Sequence, residues 1–193
     1  DAGARAYIAL LVCLRGSICL YQGEELGLPE AEIAFEDLQD PYGIEFWPEF
    51  KGRDGCRTPM VWAKDNASGG FSTGKPWLPV MAGHLGLAVA EQTGDPASML
   101  AHYTRTLALR KTHRALVDGA MTGLCAMGDA VMFQRSAGTE TLLFAVNLGE
   151  ASVEMDLPEG VWTDIGMDFG ATAPLGHSLA LAPWGYSLLR KGE

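Results

Sequence analysis

The sequence predicts an α/β segment followed by an all-β antiparallel sandwich, and three patterns support this division. Residues 2–15 are rich in Ala and Leu and apolar almost all round, which predicts a helix packed between other elements. Residues 17–21 form a short apolar run after Gly16, which predicts a fully buried strand of a parallel sheet. Beyond Gly119, short apolar runs alternate with turn residues at even spacing, as they do in antiparallel sandwiches.

The size and charge of the chain restrict the function classes open to it. The 193 residues can bury a core as one large domain or two small ones. The first residues already have the pattern of a helix interior, so we expect a piece of a longer protein. The net charge of −10 argues against nucleic acid or an anionic membrane as a partner, because both would be repelled. A neutral ligand is favoured instead.

The cysteines and histidines predict no metal or cofactor site. The sequence contains four cysteines: Cys13, Cys19, Cys56 and Cys125. They form no CxxC pair, so we interpret them as reduced thiols of a cytoplasmic protein, with a periplasmic location as the alternative. His102 and His113 have no carboxylate or cysteine at ligand spacing, and we expect both at the surface.

A polar loop at residues 52–62 is the main functional motif. It places Arg53, Asp54, Arg57 and Trp62 between glycines and a proline, which suits a rigid loop better than a helix or a strand. The guanidinium groups offer planar donor forks for sugar hydroxyls or carboxylates, and the tryptophan offers an apolar face. The same composition also fits an ordered surface loop whose arginines pair with nearby acids.

Polar side chains also follow the predicted strand. Gln22, Glu24 and Glu25 stand at its carboxyl end, the edge from which ligand-facing loops leave α/β barrels. Adjacent residues at the end of a strand point to opposite sides, so the two glutamates do not form a pair of carboxylates that faces one ligand. We therefore expect structural roles for both glutamates, with one of them anchoring the loop through backbone N–H groups.

The remaining segments predict further helices and strands. Residues 30–39 predict a short helix that begins after Pro29, with Glu30 near the positive end of its dipole. Asp95 and Pro96 predict the start of a longer helix. Candidate strands after Gly119 are 121–126, 130–135, 140–147, 151–157, 177–182 and 184–190.

The motifs YQGEELG at 21–27 and GRDGCRTPMVW at 52–62 resemble those of glycoside hydrolase family 13, and in particular its α-glucosidase and oligo-1,6-glucosidase branch. Further similar stretches are Gly70-Phe71-Ser72, 76–79, 95–98 and 109–111. Several motifs in the family's order make the resemblance specific, and it covers nearly the whole chain. It implies that residues 1–118 are the C-terminal part of a (β/α)8 barrel and that residues 119–193 form a β-sandwich domain. The barrel part would contain the seventh helix, the eighth strand and the eighth helix.

The resemblance also implies an activity. It indicates a retaining α-glucosidase that hydrolyses, or transfers glucose from, small α-glucosides such as maltose, isomaltose or sucrose. In the family, the first arginine of the RDxxRTPM motif binds glucose hydroxyls, and Arg53 matches it; Glu30 is expected to reach a sugar from the loop after the eighth strand. The positions expected to shape the loop are Gln22, Glu25, Asp54, Arg57 and Trp62.

The family's three catalytic acids come from earlier barrel strands, so the resemblance implies no catalytic residue in this chain. The chain alone is therefore expected to be inactive. A quarter of a barrel leaves a sheet edge uncovered, and we expect it to self-associate or to pair with the missing N-terminal part. Two other hypotheses stay open: a noncatalytic scaffold or sugar-binding member of the family, and an autonomous β-sandwich module at 120–193 that binds glucosides.

Overall fold

The computed structural model describes residues 1–172, 174 and 176–192. Its elements in chain order are α1 (Ala2–Cys13), α2 (Pro41–Glu45), α3 (Ala82–Leu85), α4 (Val89–Gln92), α5 (Met99–Thr112), α6 (Arg114–Val117), β1 (Ala120–Met127), β2 (Ala130–Ala137), β3 (Glu140–Asn147), β4 (Val153–Asp156), β5 (Trp162–Ala171) and β6 (Ser178–Lys191). They belong to two compact units, one of Asp1–Cys19 with Tyr103–Glu193 and the other of Leu20–His102. Across the described residues, every helix is too short or too polar to span a bilayer.

The first unit is built on an antiparallel sheet. Its strand order is β1-β2-β3-β6-β4, and β5 also pairs with β6. Tight connections join β1 to β2 and β2 to β3, because Gly128 and Gly138 adopt φ values of 57° and 61° that other residues disfavour. The sheet buries an apolar core of Ala130, Met132, Leu143, Ala145, Met155, Leu157, Trp162, Leu179, Leu181 and Leu189. Removing these side chains from water stabilises the unit.

The predicted strands agree with the structure where pairing is local. Strands β1, β2 and β3 lie within two residues of their predicted bounds, and β4 lies inside the predicted 151–157. The predicted strands 177–182 and 184–190 are one continuous strand, β6. The sequence does not predict β5, because Gly166 and Gly170 interrupt its apolar pattern. The predicted antiparallel β domain is confirmed as one sheet in which the long strand β6 pairs with β3, β4 and β5, and its sandwich form stays a prediction.

The predicted N-terminal helix is confirmed as α1, and two arginines bind its carboxyl end. Arg110 donates hydrogen bonds to the carbonyl oxygens of Leu14 at 2.9 Å and Gly16 at 2.7 Å. The fully buried Arg135 donates to the Cys13 carbonyl at 2.5 Å. These cations satisfy carbonyls that a helix end leaves unpaired, and they complement the negative end of its dipole.

His102 and His113 are buried, which corrects the prediction that both lie at the surface. His113 Nδ1 lies 2.7 Å from Glu140 Oε1, and the Ala115 backbone N–H donates to Glu140 Oε2 at 3.1 Å. Arg190 lies 3.6 Å from the same carboxylate. Burial raises the pKa of Glu140, but the hydrogen bonds from His113 and Ala115 outweigh it and hold that pKa below its ordinary value. The partner of His113 is 27 residues away, so local spacing does not reveal it.

Residues 17–21 do not form a strand, which corrects the predicted eighth barrel strand. Ser17, Cys19 and Tyr21 are exposed, and no described strand pairs with this segment. A strand exists only through hydrogen bonds to a neighbour, and an apolar composition does not supply that neighbour. The portion of the barrel that this chain represents therefore stays a prediction, as does the domain boundary between residues 118 and 119.

The second unit is mostly irregular and is held together by a small core and a buried amide. The core contains Leu26, Val61 and Ala88, against which Leu28, Met60, Val80, Leu85, Val89 and Leu100 pack. Gln92 Nε2 donates to the carbonyl oxygens of Leu26 and Leu87, both at 2.9 Å, and its Oε1 accepts from the Leu100 N–H at 3.0 Å. One side chain thus joins three backbone segments, which stabilises a region that has few ladder hydrogen bonds.

One helix prediction here is wrong, and another is confirmed with a later start. The predicted helix at 30–39 is irregular apart from a 3-10 turn at Phe35–Asp37. The helix predicted from Asp95 begins four residues later as α5, because the Ser98 hydroxyl accepts from a backbone N–H of its first turn. In both places a backbone N–H donates to a side chain instead of to a helical carbonyl: Gln39 N–H donates to Asp54, and Ala97 N–H donates to Asp95.

Candidate functional site

A buried carboxylate, Asp40, organises the polar loop at residues 52–62. Its Oδ1 accepts from the Tyr42 N–H at 3.1 Å, and its Oδ2 accepts from Arg53 N at 3.0 Å and Arg53 Nε at 3.2 Å. A terminal nitrogen of Arg57 lies 3.8 Å from the same oxygen. Burial raises the pKa of Asp40, but these hydrogen bonds and the arginine charge outweigh it and hold that pKa below its ordinary value. Asp40 is therefore a charged anchor for the Arg53 guanidinium.

A second buried carboxylate, Asp54, fixes the anchor itself. Its Oδ2 accepts from the backbone N–H groups of Gln39 at 2.6 Å and Asp40 at 2.7 Å, and its side chain is fully buried. Glycine at position 52 permits the close approach of the loop backbone to the Asp40 side chain. A Cβ at position 52 would lie 3.0 Å from the Asp40 Cβ, and the φ of 74° also favours glycine. Asp54 thus holds Asp40 in place, and Asp40 in turn holds Arg53.

The guanidinium of Arg53 is held in place through only one of its nitrogens. Its Nε bonds to Asp40, while 61% of the side chain is exposed to solvent. The terminal nitrogens keep their N–H donors for another group. The arrangement can therefore present fixed hydrogen-bond donors to hydroxyl or carboxylate oxygens.

A cleft of about 400 Å³ borders the same loop. Its lining residues are Tyr21, Gln22, Gly23, Glu24, Leu28, Pro29, Glu30, Gly55, Cys56, Thr58 and His84. Of the two residues predicted to contact substrate, Glu30 lines the cleft and Arg53 does not. The Glu30 segment is attached to the loop, since the Ala31 N–H donates to the Gly55 carbonyl at 3.0 Å. A Cβ on Gly55 would lie 2.5 Å from the Ala31 carbonyl, so only glycine fits this contact.

Gln22 and Glu25, two of the residues predicted to shape the loop, bind backbone groups nearby. Gln22 Nε2 donates to the Thr58 carbonyl at 3.0 Å, which joins the two sequence motifs. Glu25 Oε2 accepts from the Gly23 N–H at 2.8 Å. The Trp62 side chain is half-exposed and lies outside the lining of the cleft. What these residues do toward a substrate stays a prediction.

Two residues of this region are absent from the sequence-based predictions. Asp40 carries a recognisable pattern, an N-cap residue before a proline, and α2 begins there. His84 carries none. It is buried, and its Nε2 lies 2.9 Å from the Pro29 carbonyl, so Nε2 donates a hydrogen bond because a carbonyl only accepts. Among the described residues, no group donates to its buried Nδ1.

Comparison with known proteins places the chain in a family. The model of the alpha-amylase catalytic domain matches residues 2–119. The chain therefore belongs to the alpha-amylase family, glycoside hydrolase family 13, as its motifs predict.

The chain is similar to particular glucosidases within this family. The chain is 47% identical over 185 residues to a probable alpha-glucosidase of Rhizobium meliloti (strain 1021), covering 96% of this chain and 33% of that protein. It is 31% identical over 180 residues to an oligo-1,6-glucosidase of Heyndrickxia coagulans, covering 82% of this chain and 32% of the relative. The curated relatives are thus about three times as long as the chain.

Solved structures give the same picture. The alpha-glucosyl transfer enzyme XgtA matches with a TM-score of 0.92 and 47% identity, over 99% of this chain and 36% of that one. The trehalulose synthase MutB from Pseudomonas mesoacidophila MX-45 matches with a TM-score of 0.82 and 26% identity, over 100% of this chain and 38% of that one. The fold of the chain is thus that of about a third of a family 13 enzyme.

Proposed function

We propose that this chain is the sugar-contacting C-terminal portion of a retaining α-glucosidase that acts on small α-glucosides such as maltose, isomaltose or sucrose. The observation that carries the proposal is the Arg53 guanidinium held by the buried Asp40, in the loop that also borders the Glu30 cleft. A neutral sugar offers no charge for attraction, so its binding depends on donors that are already in place. Fixing those donors before binding avoids the cost of ordering a long side chain.

The charges of the region suit a polyhydroxy ligand. Arg53 donates to hydroxyl oxygens, and the Glu30 carboxylate accepts from hydroxyl groups. The buried carboxylates of Asp40 and Asp54 keep this donor fixed, because Asp54 holds Asp40 and Asp40 holds Arg53. The acids that would cleave the glycosidic bond lie, by this proposal, in portions of the protein outside the chain, so the chain alone would bind glucosides weakly and would not cleave them.

Glucosyl transfer is the second candidate, because the alpha-glucosyl transfer enzyme XgtA matches this chain with a TM-score of 0.92. Hydrolysis and transfer differ in whether water or an acceptor hydroxyl attacks the glucosyl intermediate. Product analysis separates them: hydrolysis of maltose or isomaltose releases two glucose molecules for each cleaved bond, and this ratio falls towards one when an acceptor sugar takes the glucosyl group.

We further propose that residues 1–118 complete the catalytic (β/α)8 barrel of the whole protein and that residues 119–193 form its C-terminal β domain. The exposed apolar segment 17–21 supports this proposal, because it would gain a neighbouring strand from the remainder of a barrel. By the same argument, the isolated chain would self-associate or pair with the rest of the protein.

The test is the activity of the full-length protein and of its Arg53→Ala variant on maltose, isomaltose and sucrose. We expect kcat/KM of the variant to fall by a factor of about 30, or about 2 kcal/mol of transition-state binding, because a charged hydrogen bond to the sugar is lost. Arg114→Ala is the matched control, since that side chain is exposed and its one ion-pair partner among the described residues is Asp118, four residues further along the chain.

Two results would contradict the proposal. One is a wild-type protein that cleaves none of these glucosides, which would favour a noncatalytic member of the family. The other is an Arg53→Ala variant with the same kcat/KM as Arg114→Ala, which would show that the Arg53 guanidinium does not bind the sugar.

A further inference from the structure

Glu30, a sugar-contacting residue of the proposed function, is fixed through both of its neighbours in the chain. The Pro29 carbonyl accepts a hydrogen bond from His84 Nε2 at 2.9 Å. The Ala31 N–H donates to the Gly55 carbonyl at 3.0 Å. Among the described residues, Glu30 itself forms no ion pair. The position of its carboxylate therefore depends on the two backbone groups beside it.

The Glu30 side chain also lies against the backbone of Gly55. A Cβ at position 55 would lie 2.8 Å from Glu30 Cγ and 3.1 Å from Glu30 Oε1, so glycine leaves the room that this side chain occupies. Gly55 belongs to the same loop as Arg53. The loop thus holds Glu30 from one side, and His84 holds it from the other.

His84 is placed by the core of its unit. It lies in α3, and the next residue, Leu85, packs against that core. Its own N–H donates to the Met81 carbonyl at 3.0 Å, and its carbonyl accepts from the Leu87 N–H at 2.9 Å. The side chain is only 3% exposed, and further parts of the protein could only bury it more. The ring is therefore a fixed support in the whole protein as well.

We propose that His84 is a positioning residue that sets the place of the Glu30 carboxylate toward the sugar. This role rests on the proposed function, in which Glu30 accepts hydrogen bonds from sugar hydroxyls. A side chain whose rotamer is locked by packing holds a neighbouring group more precisely than an exposed one does. The precision matters, because misplacing a substrate-contacting group by about 1 Å costs up to about 100-fold in rate.

Two substitutions at position 84 separate the hydrogen bond from the packing. The amide nitrogen of glutamine reaches the position of the histidine Nε2, whereas that of asparagine reaches only the position of Nδ1. His84→Asn therefore loses the donor to the Pro29 carbonyl, and His84→Gln retains it. The assay is kcat/KM of the full-length protein on its best substrate among maltose, isomaltose and sucrose. We expect a fall of about ten-fold in His84→Asn, corresponding to about 1.4 kcal/mol, and of less than about two-fold in His84→Gln.

A double-mutant cycle with Glu30→Ala distinguishes positioning from general stability. His84→Asn should lower kcat/KM when Glu30 is present and leave it unchanged in the Glu30→Ala background, because no carboxylate remains to be positioned. Ser98→Ala is the matched control. The buried Ser98 hydroxyl donates to the Asp95 carbonyl at 2.8 Å in the same unit, and this bond does not involve residues 29–31. Any effect of Ser98→Ala on kcat/KM should be the same in both backgrounds.

Three results would overturn this proposal and leave the proposed function intact. They are an effect of His84→Asn that is the same in both backgrounds, an equal loss in His84→Gln and His84→Asn, and a Glu30→Ala variant as active as the wild type. A wild type that cleaves none of the three glucosides contradicts the proposed function instead. The same cycle is then measured on the Kd for maltose by calorimetry. Coupling between His84 and Glu30 in that Kd supports the positioning role, and a wild type that binds no maltose overturns it.

Discussion

Replacing Asp54 with asparagine tests whether its buried carboxylate holds the substrate loop in place. The carboxylate accepts two backbone hydrogen bonds, from Gln39 at 2.6 Å and Asp40 at 2.7 Å. A hydrogen bond to a charged acceptor contributes about 1.5–3 kcal/mol and a neutral one about 0.5–1.5 kcal/mol, so Asp54→Asn should lose about 1 kcal/mol per bond. The two bonds together give about 2 kcal/mol of local stability, which is about a 30-fold change in the opening equilibrium.

The second carboxylate oxygen increases the expected cost. Oδ1 of Asp54 is buried and has no hydrogen-bond partner among the described residues. In Asp54→Asn the amide oxygen must take the position of Oδ2 to keep the two bonds. The amide NH₂ then replaces Oδ1 and leaves two buried donors unpaired, which is unfavourable. The loss of about 2 kcal/mol of local stability is therefore a lower bound.

Hydrogen exchange followed by mass spectrometry measures this change directly. In the full-length protein, a peptide covering residues 36–42 should exchange about 30-fold faster at its protected amides in Asp54→Asn than in the wild type. A peptide from β3 should exchange at the same rate in both proteins. Asp65→Asn is the control, because that carboxylate is exposed. If the peptide 36–42 exchanges at the same rate in the Asp54→Asn and Asp65→Asn variants, the Asp54 carboxylate does not fix the loop.

Two other substitutions test packing and pH dependence. Gly55→Ala should lower Tm by an amount equivalent to about 1–3 kcal/mol, because its Cβ would lie 2.5 Å from the Ala31 carbonyl. Gly83→Ala, with open space around its Cβ, should leave Tm unchanged; equal Tm values for both variants would refute the contact. The lowered pKa of Glu140 stabilises the fold above its unfolded-state pKa of about 4.5, and this contribution is lost as pH falls through the folded pKa. Urea unfolding of Glu140→Gln should therefore show a weaker loss of stability below pH 4.5 than the wild type shows; parallel curves would exclude a role for the contact with His113.

The sequence alone predicts those parts of the molecule in which neighbours in the chain are also neighbours in space. Helix α1 follows from its apolar composition, and strands β1, β2 and β3 follow from apolar runs separated by glycine turns. Each of these strands pairs with the next one in the chain, so local patterns carry the information that defines it. The motif at residues 52–62 is likewise contiguous, and together with the motif at 21–27 and the further similar stretches it indicated the family.

Elements whose partners are distant in the chain depended on the three-dimensional fold. Strand β5 pairs with β6 through a bulged register around Gly166, which has a φ of 84°. Residues 17–21 have the composition of a buried strand, but no described strand pairs with them. In both cases, the presence or absence of a hydrogen-bonding neighbour decided whether the segment forms a strand. The amino-acid composition of a segment gives no information about that neighbour.

Some features of the candidate site also follow from the sequence, whereas others depend on the fold. Residue types and their order were enough to single out Arg53 and Glu30 as sugar-binding candidates. Only the fold shows that the guanidinium is held by Asp40, 13 residues before it, and that Glu30 lines a cleft from which Arg53 is absent. The physical reason is that chemical capacity belongs to each side chain, whereas burial, hydrogen-bond partners and access to a cleft are set by groups that folding brings together from distant positions.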